Sequence, residues 1–361
     1  MRKHHFFLGC TILLGCHPTP VDSSPPLTDT QQDTAEPSTC DPDGDHIDAS
    51  LLDLAQDWIA SERNFIDSFQ VRHCGQDVVT RYYNGYDAET LHELQSATKT
   101  YSAVLVGIAI DQGHIAGVQQ PLAELLPDHA HLLTGQKSDL TLEHALTMTT
   151  GLHWVDFGVD NSFDRIAQTS DSVAFILGEP LDSSPGQTFF YNTGSSHLLS
   201  AIVQATTGMN AAAYAEEQLF EPLGIQRYTW PALADGVNQG GWGMEMLPAD
   251  FAKLGQLMLD EGVWEGERLV SQAFIDAATA PQVDNGYGGS YGYQMWIETN
   301  MFDEDDLAAA RGYGGQDCFV LEGLDMVAAF TGDIMHPAEM AEDVVAIMNS
   351  WVFPSHVGNR H

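Results

Sequence analysis

Positive charge is scarce in this chain. Its 361 residues carry 13 Lys plus Arg against 51 Asp plus Glu, a formal net charge of −38. That balance works against docking on nucleic-acid phosphates, or on anionic lipid through basic patches. The acidic excess reads as a solvated coat that maintains solubility, and a high-salt habitat would suit the same coat. Cysteine is also sparse, at five residues, and no Cys-x-x-Cys or His-x-x-x-His pair suggests zinc. Asp128, His129 and His131 lie close together, but beside Pro127 in what reads as a loop. No metal and no cofactor are therefore expected. Repeats of 20 to 50 residues are absent, which excludes a solenoid. With 43% hydrophobic residues, the chain can still bury a core the size of one large domain or two intimately packed ones.

The first fifteen residues contain no acid. They hold Arg2 and Lys3, then an apolar stretch over residues 6–15 that is too short to span a bilayer and reads as an export signal. It ends in Leu13-Leu14-Gly15-Cys16, which resembles the lipobox of bacterial lipoproteins and makes Cys16 the expected lipidation site. An ordinary signal peptide with a chance cysteine is the alternative, and Cys10 is a weaker candidate. From residue 16 to 50 the chain reads as a lipidated, disordered tether: residues 17–50 hold six prolines, eight acids and no Lys or Arg, too little apolar surface to fold alone. Within it, Asp41-Pro42-Asp43-Gly44-Asp45-His46-Ile47-Asp48 spaces oxygen ligands as a calcium loop would, but lacks the distal bidentate Glu. Export permits a disulfide, for which Cys40 and Cys74 are the natural pair, while Cys318 lies in an apolar run as a small buried hydrophobe. These features predict an exported cell-envelope lipoprotein (periplasm or outer membrane) that touches the membrane only through its N-terminal lipid.

One folded domain is expected over residues 51–361, with periodicity alternating between strand and helix. Residues 78–83 read as a strand with a turn at Asn84-Gly85. Residues 101–110 read as a helix buried on most sides, beginning near Ser96 and stopped by Gly113. Leu198, Leu199, Ile202 and Val203 form a helical stripe ending at Gly208; Phe251, Leu254, Leu257 and Met258 form another after Pro248. Residues 291–297 read as one strand, and residues 319–321 and 326–330 as a hairpin about Glu322-Gly323. The predicted architecture is α+β, an antiparallel sheet flanked by helices with a helical subdomain.

Three constellations carry chemistry. Ser96-Ala97-Thr98-Lys99 sets a hydroxyl and an amine three residues apart on one helical face, where unpaired first-turn N–H groups add partial positive charge. A lysine of ordinary pKa, about 10.4, acts as a base near neutrality only when burial or neighbouring cations lower that value, and the apolar helix offers such burial. Among the four lysines only Lys99 has Ser three residues before it. Next, Pro185-Gly186-Gln187-Thr188-Phe189-Phe190-Tyr191-Asn192-Thr193-Gly194 places a phenol on the loop before a helix, able to relay a proton if a neighbouring ammonium lowers its pKa. The third is Gly312-Tyr313-Gly314-Gly315-Gln316, read as an edge strand on which adjacent glycines admit a substrate backbone and expose an N–H to an oxyanion. Each has a plain structural alternative: an exposed helix, a packed tyrosine, a glycine-rich turn.

Taken in order with Leu140-Thr141-Leu142-Glu143-His144-Ala145-Leu146-Thr147-Met148-Thr149-Thr150-Gly151-Leu152, Leu219-Phe220-Glu221-Pro222-Leu223-Gly224-Ile225 and Tyr291-Gly292-Tyr293-Gln294, these segments resemble the β-lactamase-related serine hydrolases. The group includes class C β-lactamases, DD-peptidases, esterases and 6-aminohexanoate-dimer hydrolases. The resemblance implies the β-lactamase/transpeptidase-like fold and acyl transfer: Ser96 as nucleophile, Lys99 and Tyr191 sharing the proton, and the N–H groups of Ser96 and Gln316 holding the oxyanion. Gly314, Gly315 and Tyr313 would then line the substrate site, and Asn192 would orient Tyr191 or the substrate.

The pattern departs from the β-lactamases at two points. Tyr313 stands where their third motif has the Lys that helps bind the drug's carboxylate, and Asn192 adjoins Tyr191 where many relatives have Asn two residues after the tyrosine. The Glu-x-x-Leu-Asn element of class A enzymes has no counterpart near Glu179. The expected activity is accordingly that of an esterase or amidase on a small-molecule or peptide-like substrate, uncharged ones and linear amides included. A true β-lactamase or DD-peptidase, or a penicillin-binding sensor that does not turn over, is the alternative.

Overall fold

A computed structural model describes residues 46–62, 65–159, 161–298 and 307–357, all within one unit, Gln32–His361. Cys10, Cys16, Cys40 and most of the acidic stretch lie outside the described residues. Cys74 is disulfide-bonded. The folded chain takes in residues ahead of the expected boundary at Leu51, because His46–Ile47 pairs with His356–Val357 and the first helix, α1 (Ala49–Glu62), starts at once.

An antiparallel sheet of eight strands organises the rest: β1 (Ile66–His73), β2 (Gln76–Tyr82), β3 (Val283–Asp284), β4 (Ser290–Tyr291), β5 (Trp296–Glu298), β6 (Leu307–Gly312), β7 (Gln316–Leu321) and β8 (Met326–Gly332), in the spatial order β2-β1-β8-β7-β6-β5-β4-β3. The central strands are apolar on both faces, as strands covered on both sides must be. Successive side chains point to opposite faces, so Phe319 and Leu321 of β7 join Phe69, Phe330, Leu52, Ile59, Met340 and Ile347 in one core. Cys318 and Val320 of the same strand face the other core. Helix α1 and a C-terminal helix, Pro337–Ile347, cover the first face.

The second face carries the helical part: α2 (Thr98–Asp111), α3 (Thr193–Thr207) and α4 (Pro248–Leu259). Residues 98–109 of α2 are all buried, which is why its sequence lacks an amphipathic stripe. Gly208 ends α3 in the left-handed conformation, with φ +76, as a C-terminal glycine does.

The α+β reading and the helix, strand and hairpin expectations at Gln76–Tyr82, α2, α3, α4 and β7–β8 agree with this architecture. Two expectations need correction. Residues 291–297 form two short strands, because Gln294 turns back with φ +58. The Gly312–Gln316 segment is not an edge strand but the hairpin turn between β6 and β7, since β5, β4 and β3 continue the sheet beyond it.

Candidate functional site

The site forms where three chain segments meet. The first is a 3-10 turn, Gln95–Ala97, running straight into α2, so Ser96 sits one turn ahead of the α-helix proper. Gln95 adopts φ +50, a conformation that a residue with a Cβ adopts at a cost of about 1 kcal/mol or more and that clusters at functional sites. Lys99, one turn on, is 1% exposed. Its Nζ donates to Ser96 Oγ at 2.9 Å and to the Gly241 carbonyl at 2.7 Å. Burial pushes the Lys99 ammonium down to about 7, against the opposing pull of the Asp156 carboxylate.

The second segment is the loop ahead of α3. Lys99 Nζ lies 4.9 Å from the Tyr191 ring centroid, the ring stacks on Trp296 at 5.5 Å, and the phenol hydrogen-bonds with Ser96. Burial raises the Tyr191 pKa well above the ordinary phenol range, the Ser96 hydrogen bond opposes that shift, and Asp156 adds to it. The ammonium-lowered phenol expected from sequence is thus replaced by one that holds its proton. Asn192 is 2% exposed and has both polar atoms engaged by the fold: Oδ1 caps α3 by accepting from Ser195 N at 3.0 Å, and Nδ2 donates to Leu152 O at 2.8 Å. It fixes the loop beside Tyr191 and does not face a substrate.

The third segment is the β6–β7 turn. A Cβ on Gly312 would lie 2.3 Å from Leu94 O and 3.1 Å from Gln95 Cβ, so only glycine lets this turn close on the Ser96 turn. Gly314 and Gly315 have φ +81 and +78, and their Cα faces are occupied by Ile334 and Met340. They shape the turn and do not open it to a substrate backbone. The Gln316 side chain is buried, donating from Nε2 to the carbonyls of Gly314 and Gly332 at 3.0 and 2.8 Å and accepting from Gly332 N at 3.2 Å. That anchorage leaves the backbone of Gln316 as the part able to serve chemistry. Tyr313 is half exposed and contacts Phe157, ring centroids 5.7 Å apart.

Sequence reasoning missed two participants. Gly241, the second acceptor of Lys99, is a backbone carbonyl 142 positions away, and its only trace is the glycine density of Gly240-Gly241-Trp242-Gly243. Asp156 gives no motif at all. Asp128, His129 and His131 do not converge: His129 Nε2 pairs with Asp171 at 3.1 Å, and among the described residues no group of three His, Cys, Asp or Glu is placed to hold a metal.

The family model described as Beta-lactamase matches residues 63–348. The chain is 27% identical over 305 residues to a 6-aminohexanoate-dimer hydrolase of Paenarthrobacter ureafaciens, covering 78% of this chain and 76% of that protein. It is 26% identical over 200 residues to the esterase EstB of Burkholderia gladioli, covering 49% and 50%. Its fold superposes on a penicillin-binding protein homologue from Caulobacter crescentus with a TM-score of 0.68 at 18% identity, covering 85% of this chain and 97% of that one. With a family match over most of its length, the chain belongs to the Beta-lactamase family of serine hydrolases.

Proposed function

We propose that the protein hydrolyses an ester or amide through an acyl-enzyme on Ser96, with Lys99 as base and Tyr191 as proton carrier. The observation that carries this reading is a buried lysine, lowered to about 7, in contact with a solvent-accessible serine. Neutral Lys99 has two N–H bonds and one lone pair. Gly241 O occupies one N–H, leaving the lone pair to take the Ser96 proton. As the Oγ–H bond breaks, Oγ bonds to the carbonyl carbon, and the N–H groups of Ser96 and Gln316 hold the negative oxygen; one such donor typically contributes about a hundredfold or more in rate. The proton then passes from Lys99 through Tyr191 to the leaving atom as its bond to carbon breaks. Water repeats the sequence on the acyl-enzyme and regenerates Ser96.

Esters and linear amides are preferred here to β-lactams because Tyr313 occupies the place of the carboxylate-binding lysine. The two relatives named a dimer hydrolase and an esterase support the same choice. The test is intact-protein mass spectrometry after treatment with a fluorophosphonate, comparing wild type with Ser96→Ala. Labelling confined to the Ser96 peptide and lost in the variant is expected. Folded wild type that remains unlabelled, or equal labelling of the variant, would overturn the reading.

A further inference from the structure

Tyr191 can carry a proton from Lys99 to the leaving atom only while its hydroxyl stays between the two, and a displacement of about 1 Å at such a group can cost on the order of a hundredfold in rate. Two segments that hold no reacting group keep it there. Met148 takes the loop on both sides of the tyrosine: its carbonyl accepts from Phe190 N at 2.9 Å and its Sδ accepts from Asn192 N at 3.3 Å. It is 1% exposed and has φ +59, a left-handed conformation disfavoured for a residue with a Cβ and concentrated at functional sites.

The second segment is the turn between β4 and β5. Trp296 stacks on the Tyr191 ring with 26° between the planes, and Tyr291 backs the indole edge-on at 5.2 Å. Trp296 is half-buried beside the exposed Tyr287, so the stack lies at the rim of the core, where filling space does not demand it. Two residues earlier, Gln294 has both polar atoms of its side chain bonded. Nε2 donates to the carbonyls of Ala145 and Leu146, both at 2.9 Å, and Oε1 accepts from Ser196 Oγ of α3 at 2.6 Å. Its backbone adds two more contacts: N donates to Leu146 O at 3.1 Å, and O accepts from Thr100 Oγ1, next to Lys99 in the chain, at 2.9 Å. One turn therefore reaches Tyr191 by two routes, directly through the Trp296 ring and, through Gln294, by the backbone of residues 145–148 that ends in Met148.

We propose that Met148 and Trp296, tied together by Gln294, are positioning residues that hold the Tyr191 hydroxyl in line between Lys99 and the leaving atom. They touch neither the bond that forms nor the one that breaks. This rests on Ser96 acyl transfer with Tyr191 as proton carrier, and it assigns what keeps that carrier in place. The consequence is selective for the leaving group. When the C–O bond of an alkyl ester breaks, the departing oxygen takes the Tyr191 proton and Tyr191 takes one from the Lys99 ammonium. p-Nitrophenolate departs as the anion, so the proton stays on Lys99 and is lost later to water.

The experiment measures kcat/KM for ethyl, phenyl and p-nitrophenyl butanoate, each corrected for spontaneous hydrolysis, in wild type, Tyr191→Phe, Trp296→Leu, Trp296→Phe and Met148→Leu. The acyl group is the same throughout, and kcat/KM reports the steps up to acylation. Trp296→Leu should lose about thirtyfold on the ethyl ester and about threefold or less on the p-nitrophenyl ester, with phenyl between, while Tyr191→Phe shows the same contrast more strongly. Trp296→Phe keeps a flat ring and should recover most of the ethyl-ester activity. Met148→Leu conserves volume but removes the sulfur acceptor; it should show the contrast on a smaller scale, and it carries the test if Trp296→Leu does not fold. Losses equal on all three esters in either folded variant, with the contrast present in Tyr191→Phe, would reduce these contacts to packing and overturn the proposal. Absence of the contrast in Tyr191→Phe itself would overturn the proton-carrier role and this inference with it.

Discussion

Lys99 Nζ stands 2.9 Å from Ser96 Oγ and 2.7 Å from the Gly241 carbonyl, in a position 1% exposed to solvent. The same burial that makes the amine a usable base makes its charged form costly to the fold. Activity and stability are therefore linked at one side chain.

That linkage predicts two pH signatures of the same sign in adjoining windows. A base lowered to about 7 should give kcat/KM an acid limb near pH 7, falling tenfold per unit below it, and Lys99→Arg, which cannot deprotonate, should lose about a hundredfold to ten-thousandfold. For stability, the folded pKa lies below the unfolded value of about 10.4, so between these values the unfolded chain binds the extra proton and stability rises with pH. Below pH 7 the full penalty is present, on the order of 5 kcal/mol for a shift of this size. Lys99→Met should accordingly be inactive yet melt higher than wild type at pH 6, and thermal scans should show that advantage shrinking as pH rises from 7 towards 10. An advantage independent of pH would mean that Lys99 is not buried as an amine of lowered pKa.

The neighbourhood of Ser96 was legible because its signals are local. Ser-x-x-Lys, an unbroken apolar helix and the Tyr191 loop each announce themselves within about a dozen residues, and β7 and β8 stand out as apolar runs on either side of Glu322-Gly323. What the sequence concealed depends on tertiary contact. Gly241 acts through its carbonyl, which any residue possesses. Asp156 is set by the Trp154 indole, and the Tyr313 turn is interior because β5, β4 and β3 pair outside it. Strand β1 was not anticipated: its Asp67, Ser68 and Gln70 are polar yet buried, so no apolar run marks the strand. Asn192 looked like a site residue because a helix cap and a substrate ligand draw on the same amide chemistry.

His197 is predicted to position Lys99 without touching a substrate. It is fully buried and pushed down to about 4 by desolvation. Its Nδ1 accepts from Gly240 N at 3.3 Å, so the proton sits on Nε2, which donates to Ser172 Oγ at 2.8 Å. Gly240 in turn carries Gly241, the acceptor of Lys99. His197→Leu removes the Gly240 contact and should lower kcat/KM about tenfold to a hundredfold, a geometric loss at the base. His197→Asn, which offers an oxygen near the place of Nδ1, should recover much of it. Because the Gly241 carbonyl favours the ammonium, loosening it should also move the acid limb of kcat/KM to lower pH. A pure stability loss with an unmoved limb would assign His197 to packing alone.

Gly312 offers the sharpest test that the β6–β7 turn and the Ser96 turn must touch. An alanine Cβ there would lie 2.3 Å from Leu94 O, a backbone atom, and 2.9 Å from Gln316 Cβ, so one of the two turns has to move. Either movement changes the spacing between the N–H groups of Ser96 and Gln316. Gly312→Ala should therefore cost about a hundredfold in kcat, comparable to losing one oxyanion donor, together with an overpacking penalty of about 1–3 kcal/mol in stability. Gly85→Ala is the control: its φ of +87 penalises a side chain, but nothing lies within 4 Å of its Cβ, so it should lower the melting temperature and leave kcat unchanged. If Gly312→Ala lost only stability, as the control does, the oxyanion would have to be held by groups other than the Ser96 and Gln316 amides.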